Sequence, residues 1–217
     1  MAKSGTASRA SVSGSARSAD TRRVFVDAAV ESLKCDGFAG ASARAIAERS
    51  GMNQGLIFYH FGSVANLLLA ALDSVSADRM ATYSLVVEAA STPSELVDVA
   101  LRIFSADLDA GYVTVLVEMI AGSTSTPGLG VEVAARIGPW FAFAQGAIER
   151  TFAKSPFASV LPPADAAYGV VAMYLGLEML THLNGDRAPA TALFGHVQQI
   201  AGLFNLLAPP PPTKEAP

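Results

Sequence analysis

Apolar residues recur every three to four positions through almost all of the 217-residue chain, which is the spacing of one face of an α-helix. In the first such stretch, Phe25, Ala28, Ala29 and Leu33 share a face. A capping residue at position 20 or 21 and Gly37 set the predicted ends of this helix. Strand-like alternation is scarce, so the pattern predicts an all-α protein.

Prolines, glycines and capping residues divide the rest of the chain into further helices. A short helix is expected after Ser42 and ends at Gly51, and Asn53 is expected to cap a second short helix. From Ser63 onward the predicted helices cover residues 63–89, 94–109, 111–122, 128–153, 164–184 and 190–207. Pro139 falls inside one of them and is expected to kink it.

The two ends of the chain are expected to be disordered. Residues 1–19 consist mainly of Ser, Ala and Gly with three basic residues, and offer little that can pack. Residues 209–217 are rich in proline, which cannot sustain a helix.

Charge is distributed unevenly along a chain whose net charge is −4. Residues 1–62 carry eight basic and five acidic side chains, and the remainder carries seven basic and fourteen acidic ones. A basic head on an acidic body suits a protein that presents one end to a polyanion such as DNA. A basic disordered tail beside an ordinary acidic domain has the same charge balance.

The composition bears on association and location. Hydrophobic residues make up 51% of the chain and charged residues 16%, so surplus apolar surface is expected to be buried against a partner chain. We find no uninterrupted apolar run of bilayer length and no signal-peptide pattern, which favours a cytoplasmic protein without membrane contact. Cys35 is the only cysteine, so an intramolecular disulfide is excluded.

Two short helices joined by a tight glycine-containing turn have the proportions of a helix-turn-helix, whose second helix enters the major groove of DNA. Arg44 lies in the first turn of the first short helix, and Asn53 and Gln54 stand where side chains meet base edges. The predicted DNA-binding residues are Arg44, Asn53, Gln54, Gly55, Leu56, Tyr59 and His60. Of the apolar residues Leu56, Ile57 and Phe61, some must hold the short helix to its neighbour.

The stretch from Phe25 to Leu68 resembles the DNA-binding domain of the TetR family of bacterial repressors. The resemblance is carried by several spaced elements, which are Gly37-Phe38, the cap Ser42, the pair Ile46-Ala47, the turn Gly51-Met52-Asn53 and the ending Tyr59-His60-Phe61. It implies a three-helix DNA-binding domain over residues 20–66.

Two positions depart from the family pattern. Phe58 stands where a tyrosine is usual, and Val64 stands where a lysine is usual, so two contacts to the DNA backbone are lost. Tyr59 and the basic residues Arg17, Arg22 and Arg23 are candidates to compensate for them.

The resemblance also implies that residues 67–208 form a ligand-binding and dimerisation domain, in which the last two helices pair with those of a second copy. Residues 166–183 are apolar almost all round, as expected for a helix covered by its own core and by a partner. The predicted interface residues are Gly169, Met173, Gly176, Leu177, Phe194, Val197, Ile200 and Phe204. A buried monomeric core would give the same pattern.

A pocket for an apolar molecule is predicted from scattered aromatic and sulfur-containing side chains. The candidate lining residues are Phe104, Met119, Trp140, Phe143, Tyr174 and Glu178. One helix face carries Tyr174, Glu178 and His182. These side chains could form an inter-subunit hydrogen-bond network, a pocket wall or a metal site. Glu118 is expected on the surface.

No catalytic motif, cofactor motif or metal-ligand spacing is present, so we expect no enzyme and no cofactor. The sequence therefore predicts a homodimeric regulator of transcription that binds double-stranded operator DNA and is released by a small-molecule effector. Two alternatives stay open, which are a regulator of the same fold without a ligand, and an all-α enzyme or apolar-ligand carrier.

Overall fold

A computed structural model describes the backbone of residues 6–153 and 161–207, and the side chains of residues 16–153 and 161–203. Over these residues the protein is all-α, as predicted, and no strand is present. The helices are α1 (Thr6–Gly40), α2 (Ala43–Ser50), α3 (Gly55–Phe61), α4 (Val64–Glu88), α5 (Pro93–Ala110), α6 (Tyr112–Ser123), α7 (Leu129–Phe152), α8 (Pro163–Asn184) and α9 (Ala188–Leu207).

Local signals place the helix ends from α4 onward, and each observed end lies within two residues of its predicted position. In α5, for example, the Thr92 hydroxyl accepts a hydrogen bond from the Glu95 amide at 3.2 Å, Pro93 opens the helix, and Gly111 ends it. Pro139 lies inside α7, which continues as a helix on both sides of it.

The first helix is longer than predicted. It begins at Thr6, so the expectation that residues 1–19 are disordered is corrected for residues 6–19, which are helical. Once a helix is nucleated, each added residue gains one backbone hydrogen bond, and Ala, Arg and Ser tolerate that conformation. At Gly37 the backbone leaves helical geometry, with φ 69° and ψ −179°, which agrees with the predicted end of the regular helix. Residues 1–5 and the predicted tail 209–217 lie outside the described residues.

The chain divides into two compact units. The head unit comprises the residues up to Asp78 together with Thr114–Val133, and the body unit comprises Arg79–Val113 and the residues from Ala134 onward. The head core is a single apolar cluster whose fully buried members include Phe25, Ala29, Leu33, Ile46, Ile57, Leu67, Val115 and Met119. Because α4 and α6 contribute to this cluster, the head unit is larger than the predicted domain 20–66.

The body unit contains two smaller buried clusters. One is formed by Val87, Ala90, Val99 and Ala147. The other is formed by Phe104, Ala190 and Phe194, with Tyr174 and Leu177 packed against it.

Within the head unit, α6 is joined to the end of α1 through Phe38. The Glu118 carboxylate, which was expected on the surface, is half-buried and accepts a hydrogen bond from the Phe38 amide at 2.8 Å. The Phe38 ring lies directly against the backbone of Gly122, where a Cβ atom would overlap it. We call this contact the Phe38 latch. Glycine is therefore required at position 122 by lack of space.

Candidate functional site

The geometry of α2 and α3 follows from short capping residues and one left-handed glycine. Ser42 is extended, and its hydroxyl accepts a hydrogen bond from the Ala45 amide at 3.2 Å. Gly51 ends α2 with φ 67°, a conformation that side chains other than glycine disfavour. Since α3 already begins at Gly55, the two helices are joined by a turn of a few residues, as a helix-turn-helix requires.

Helix α3 has two faces. Ile57 and Phe61 are buried, and the Phe61 ring packs edge-on against Phe25 with centroids 6.4 Å apart. In contrast, Leu56 and Phe58 are exposed, and Tyr59 is 81% exposed. The buried pair therefore holds the helix in place, and the exposed side chains are left for a partner.

The start of α3 separates the roles of Asn53 and Gln54. The Asn53 carboxamide oxygen accepts a hydrogen bond from the Gly55 amide at 2.7 Å, so Asn53 stabilises the turn before α3 and is not the N-cap that was predicted. Gln54 occupies the N-cap position, but its side chain makes no capping hydrogen bond and is exposed.

Arg49 fixes α2 to α1. Its Nε donates to the hydroxyl of the buried Ser32 at 3.1 Å, and its Nη2 donates to the Asp36 carboxylate at 2.8 Å. The hydrogen bond with Asp36 raises the pKa of the Arg49 guanidinium above its usual value, so this side chain stays charged.

The predicted DNA-binding residues form an outward-facing surface on α2, the turn and α3, which we call the recognition surface. Arg44, Asn53, Gln54, Gly55, Leu56 and Tyr59 are exposed, and His60 is half-buried with its ring 4.9 Å from that of Tyr59. A cation, two carboxamides and a phenol over an exposed backbone match the groups that bind phosphates and base edges.

Arg22 has a different role from the one expected. It donates a hydrogen bond to the carbonyl oxygen of His60, and its guanidinium lies 4.4 Å from the centroid of the Phe61 ring. It therefore caps the C-terminal end of α3, where free carbonyls and the helix dipole favour a cation. Arg17 and Arg23 are exposed, and Arg23 forms an exposed ion pair with Asp20 at 3.9 Å.

Replacing Arg22 with alanine is expected to reduce stability by about 1–2 kcal/mol through loss of the cap and of the contact with Phe61. DNA affinity should fall because α3 is less firmly held, while the slope of log affinity against log salt stays unchanged. Thermal unfolding and DNA titrations at several salt concentrations measure both quantities. Arg23→Ala is the matched control, with little change in stability. If Arg22→Ala instead lowers the slope by about one unit at unchanged stability, Arg22 is a phosphate contact.

In the body unit a buried ion pair lies at the centre of a polar cluster. Asp107 is fully buried, and it accepts hydrogen bonds from Nε of Arg79 at 3.0 Å, from Nη2 of Arg79, and from the hydroxyls of Tyr83 and Tyr174. The Arg79 guanidinium also lies 4.9 Å from the centroid of the Trp140 ring. We call Arg79, Tyr83, Asp107, Tyr174 and the neighbouring Glu178 the body cluster.

Burial and charge shift the pKa values within the body cluster. Burial raises the pKa of the Tyr83 and Tyr174 hydroxyls, which therefore remain hydrogen-bond donors. Burial alone would lower the pKa of Arg79, but the charges of Asp107, Tyr174 and Glu178 and the hydrogen bond to Asp107 together outweigh it, and the net shift is upward. Burial raises the pKa of Glu178 to about 8.

Sequence reasoning missed Asp107 and Arg79, although a signal for Asp107 was present. Asp107 follows Phe104 by three positions and Val99 by eight, which places it on the apolar face of α5. A carboxylate on such a face indicates a buried partner.

Five of the six predicted ligand-binding residues lie in the body unit, and Met119 does not. Phe104 and Tyr174 pack edge-on with centroids 5.8 Å apart, and Trp140 contacts Arg79. Phe143 packs edge-on against Trp140 with centroids 6.0 Å apart, and it also packs on the cluster around Val87. Met119 is a fully buried core residue of the head unit, which corrects its assignment to a pocket in the body.

Within the single chain, the three residues of the polar line along α8 differ in burial. Glu178 is buried and Tyr174 is half-buried, while His182 is exposed. Within the described residues, no group of three or more His, Cys, Asp and Glu side chains is placed to hold a metal ion.

Much of the apolar surface of α8 and α9 is uncovered in the single chain. Of the predicted interface residues, Gly169, Met173 and Ile200 are exposed, and Gly176, Leu177 and Val197 are half-buried. The assignment of Phe194 to the dimer interface is corrected, because its side chain is buried against Phe104 of its own chain. The side chain of Phe204 lies outside the described residues. Further exposed apolar residues on these helices are Tyr168, Val170, Met179, Leu180, Leu183, Leu193 and Leu203.

The helix-turn-helix and its recognition surface define a DNA-binding protein of the all-α class. Residues 25–71 match the family of bacterial regulatory proteins described as the tetR family. A comparison with curated protein sequences gave no match.

Solved structures share the fold over most of the chain. A TetR-family transcriptional regulator from Cytophaga hutchinsonii matches with a TM-score of 0.71 and 17% identity, covering 87% of this chain and 96% of that one. A transcriptional regulator from Pseudomonas aeruginosa PAO1 matches with a TM-score of 0.63 and 23% identity, covering 84% and 87%. FadR from Bacillus subtilis in complex with stearoyl-CoA matches with a TM-score of 0.67 and 14% identity, covering 82% and 96%.

Proposed function

We propose that this protein is a homodimeric repressor that binds a pseudo-palindromic operator and is released from it by a small, largely apolar ligand. The observation that carries the proposal is the recognition surface, on which the predicted DNA-binding side chains all face outward or are half-buried. The match of residues 25–71 to the TetR family supports the same function.

In this mechanism α3 of each subunit enters the major groove, and the two recognition helices bind half-sites about one helical turn apart. Gln54 and Asn53 lie at the N-terminal end of α3, where they meet base edges. Arg44, Tyr59 and His60 donate to phosphates, and Gly55 lets the backbone approach closely. Leu56 offers an apolar contact to a thymine methyl group.

The dimer is proposed from the uncovered apolar surface of α8 and α9. Such a surface needs a cover, and a second copy supplies one with the same chemistry. Helix α8 is also long and apolar enough to cross a bilayer, but a buried carboxylate, Glu178, on the same helix favours the protein interface. Sedimentation equilibrium at micromolar concentration tests this, and a stable monomer would contradict it.

Ligand response is proposed for the body unit. The fold is shared with FadR from Bacillus subtilis, which was solved with stearoyl-CoA. A ligand that binds better to the body in its DNA-free state than in its DNA-bound state reduces DNA affinity by that difference. Regulation of this kind takes place in the cytoplasm, where bacterial operators are found.

Replacing Arg44 or Tyr59 with alanine is expected to weaken operator binding by about 1–3 kcal/mol, which is about 5–150-fold. Both side chains are exposed and pack in no described core, so thermal stability should stay near that of the parent protein. The operator is first selected from a random DNA pool, and affinity is then measured by fluorescence anisotropy. Arg102→Ala on α5 is the control for loss of an exposed arginine. The proposal would lose the recognition surface if Arg44→Ala and Tyr59→Ala both bind the operator as tightly as the parent protein. The same holds if Arg102→Ala loses as much operator affinity as they do.

A further inference from the structure

Glu178 is the member of the body cluster whose hydrogen-bonding capacity is unmet. Its side chain is fully buried, and neither carboxylate oxygen has a hydrogen-bond partner. The Tyr174 hydroxyl is close enough to lower the pKa of Glu178, but it donates its hydrogen bond to Asp107, as Nε and Nη2 of Arg79 also do. A buried carboxylate without donors is costly, so this position calls for a partner that the chain does not supply.

The balance of charge around Glu178 also indicates that this carboxylate needs a partner. The titratable groups that act on Glu178 are Tyr174 on its own helix, Asp107 from α5 and Arg79 from α4. Arg79 and Asp107 neutralise each other, so an ionised Glu178 adds one uncompensated negative charge to a buried site. Either a proton or a cation restores neutrality, and only the cation also supplies several hydrogen-bond donors.

The surroundings of Glu178 restrict the kind of cation. Tyr174 packs edge-on against Phe104, and Phe104 packs on Phe194 with centroids 5.3 Å apart. A hydrated metal ion gains little in such surroundings, since it would have to exchange its water oxygens for rings and a single carboxylate. An organic ammonium group on an apolar body suits both the carboxylate and the aromatic rings.

We propose that Glu178 binds the ammonium group of an apolar amine, and that such amines are the class of ligand to which the body unit responds. This inference rests on the proposed ligand-binding function of the body. The ammonium group donates hydrogen bonds to the oxygens of Glu178, while the Arg79–Asp107 pair stays intact beside it.

Binding of the amine is coupled to the loss of one proton. Because the pKa of Glu178 is raised to about 8, the empty site holds a carboxylic acid at neutral pH. When the ammonium ion enters, the carboxyl O–H bond breaks, the proton leaves to solvent, and the ion pair forms. Amine affinity therefore rises by about tenfold per pH unit below the pKa and levels off above it.

The test uses the purified full chain and three probes of similar size, which are phenethylamine, phenethyl alcohol and phenylacetate. Isothermal titration calorimetry in two buffers with different ionisation enthalpies gives both the affinity and the number of protons released. We expect phenethylamine to bind at least tenfold more tightly than either other probe and to release about one proton at neutral pH. Between pH 6 and pH 7 its affinity should rise about tenfold, while the amine itself stays charged.

Two variants locate the effect. Glu178→Gln keeps the shape of the side chain but cannot ionise, so it should abolish both the preference for phenethylamine and the proton release. Glu88→Gln, at an exposed position at the end of α4, should retain both. Equal binding of all three probes, tighter binding of phenylacetate, or an unchanged preference in Glu178→Gln would overturn the proposal. If Glu178→Gln does not fold, the pH dependence of the parent protein decides, and a flat profile overturns it.

The experiments distinguish an error in the proposed amine site from an error in the proposed regulatory function. If the protein binds its operator but binds the three probes with equal affinity, the amine site is overturned and the DNA-binding proposal stands. Tight, proton-coupled amine binding that leaves operator affinity unchanged supports the site and overturns release by this class of ligand.

Discussion

Replacement of Asp107 with alanine is expected to lower the free energy of unfolding by about 3–5 kcal/mol, because it leaves the guanidinium of Arg79 buried and unpaired. Arg79 is only 10% exposed, and two of its nitrogens donate to Asp107. The hydroxyls of Tyr83 and Tyr174 lose their acceptor as well. Urea denaturation followed by circular dichroism, at one fixed protein concentration, measures the change.

The chain offers a matched control two residues away. Asp109 pairs with Arg187 at 2.6 Å, but both side chains are at least half exposed, so Asp109→Ala should cost less than about 1 kcal/mol. A double variant in which Arg79 becomes Met and Asp107 becomes Leu should recover part of the loss, since no charge is then left without a partner. Similar losses for Asp107→Ala and Asp109→Ala would show that burial of the ion pair is not what makes Asp107 important.

Replacement of Gly122 with alanine is expected to destabilise the protein by about 1–3 kcal/mol, the usual range for an added group in a packed core. The new methyl group would overlap the Phe38 ring, so the ring must leave its present rotamer or α6 must shift away from the end of α1. A decrease in melting temperature, measured by differential scanning calorimetry, reports the effect.

A second glycine provides the comparison for this variant. At Gly146 in α7 the nearest atom to an added Cβ is the end of the Arg150 side chain at 3.5 Å, so Gly146→Ala should stabilise the helix by about 0.5–1 kcal/mol. If the clash with Phe38 explains the effect, Gly122→Ala should lower the free energy of unfolding less in a Phe38→Ala background than in the parent protein. An undiminished cost in that background would point to a cause other than the Phe38 latch.

Local chemistry made the helices predictable. The Thr92-Pro93 start and the Gly111 end of α5, and the Ser42 and Gly51 ends of α2, are determined by residues within one turn of the boundary. The burial of Ile57 and Phe61 followed in the same way from the need to fasten a short helix.

Long-range pairs were not predictable, because a periodic pattern describes a residue only relative to its own helix. Glu118 was expected on the surface, yet its partner, the Phe38 amide, is 80 residues away in the chain. Arg79 and Asp107 are 28 residues apart and lie on different helices. The same limit explains Arg22, whose basic charge indicated DNA although its guanidinium caps α3.

The shortness of α3 has a consequence for how this protein can change over evolutionary time. A segment of seven residues is far below the length at which a helix persists alone in water, so the peptide cut from the chain would be a random coil. The shape that α3 presents is thus set by its supports, Phe25, Arg22 and the turn at Gly51. Substitutions at those positions can alter operator preference without touching a residue that faces the DNA, so new specificities can arise from changes in the scaffold.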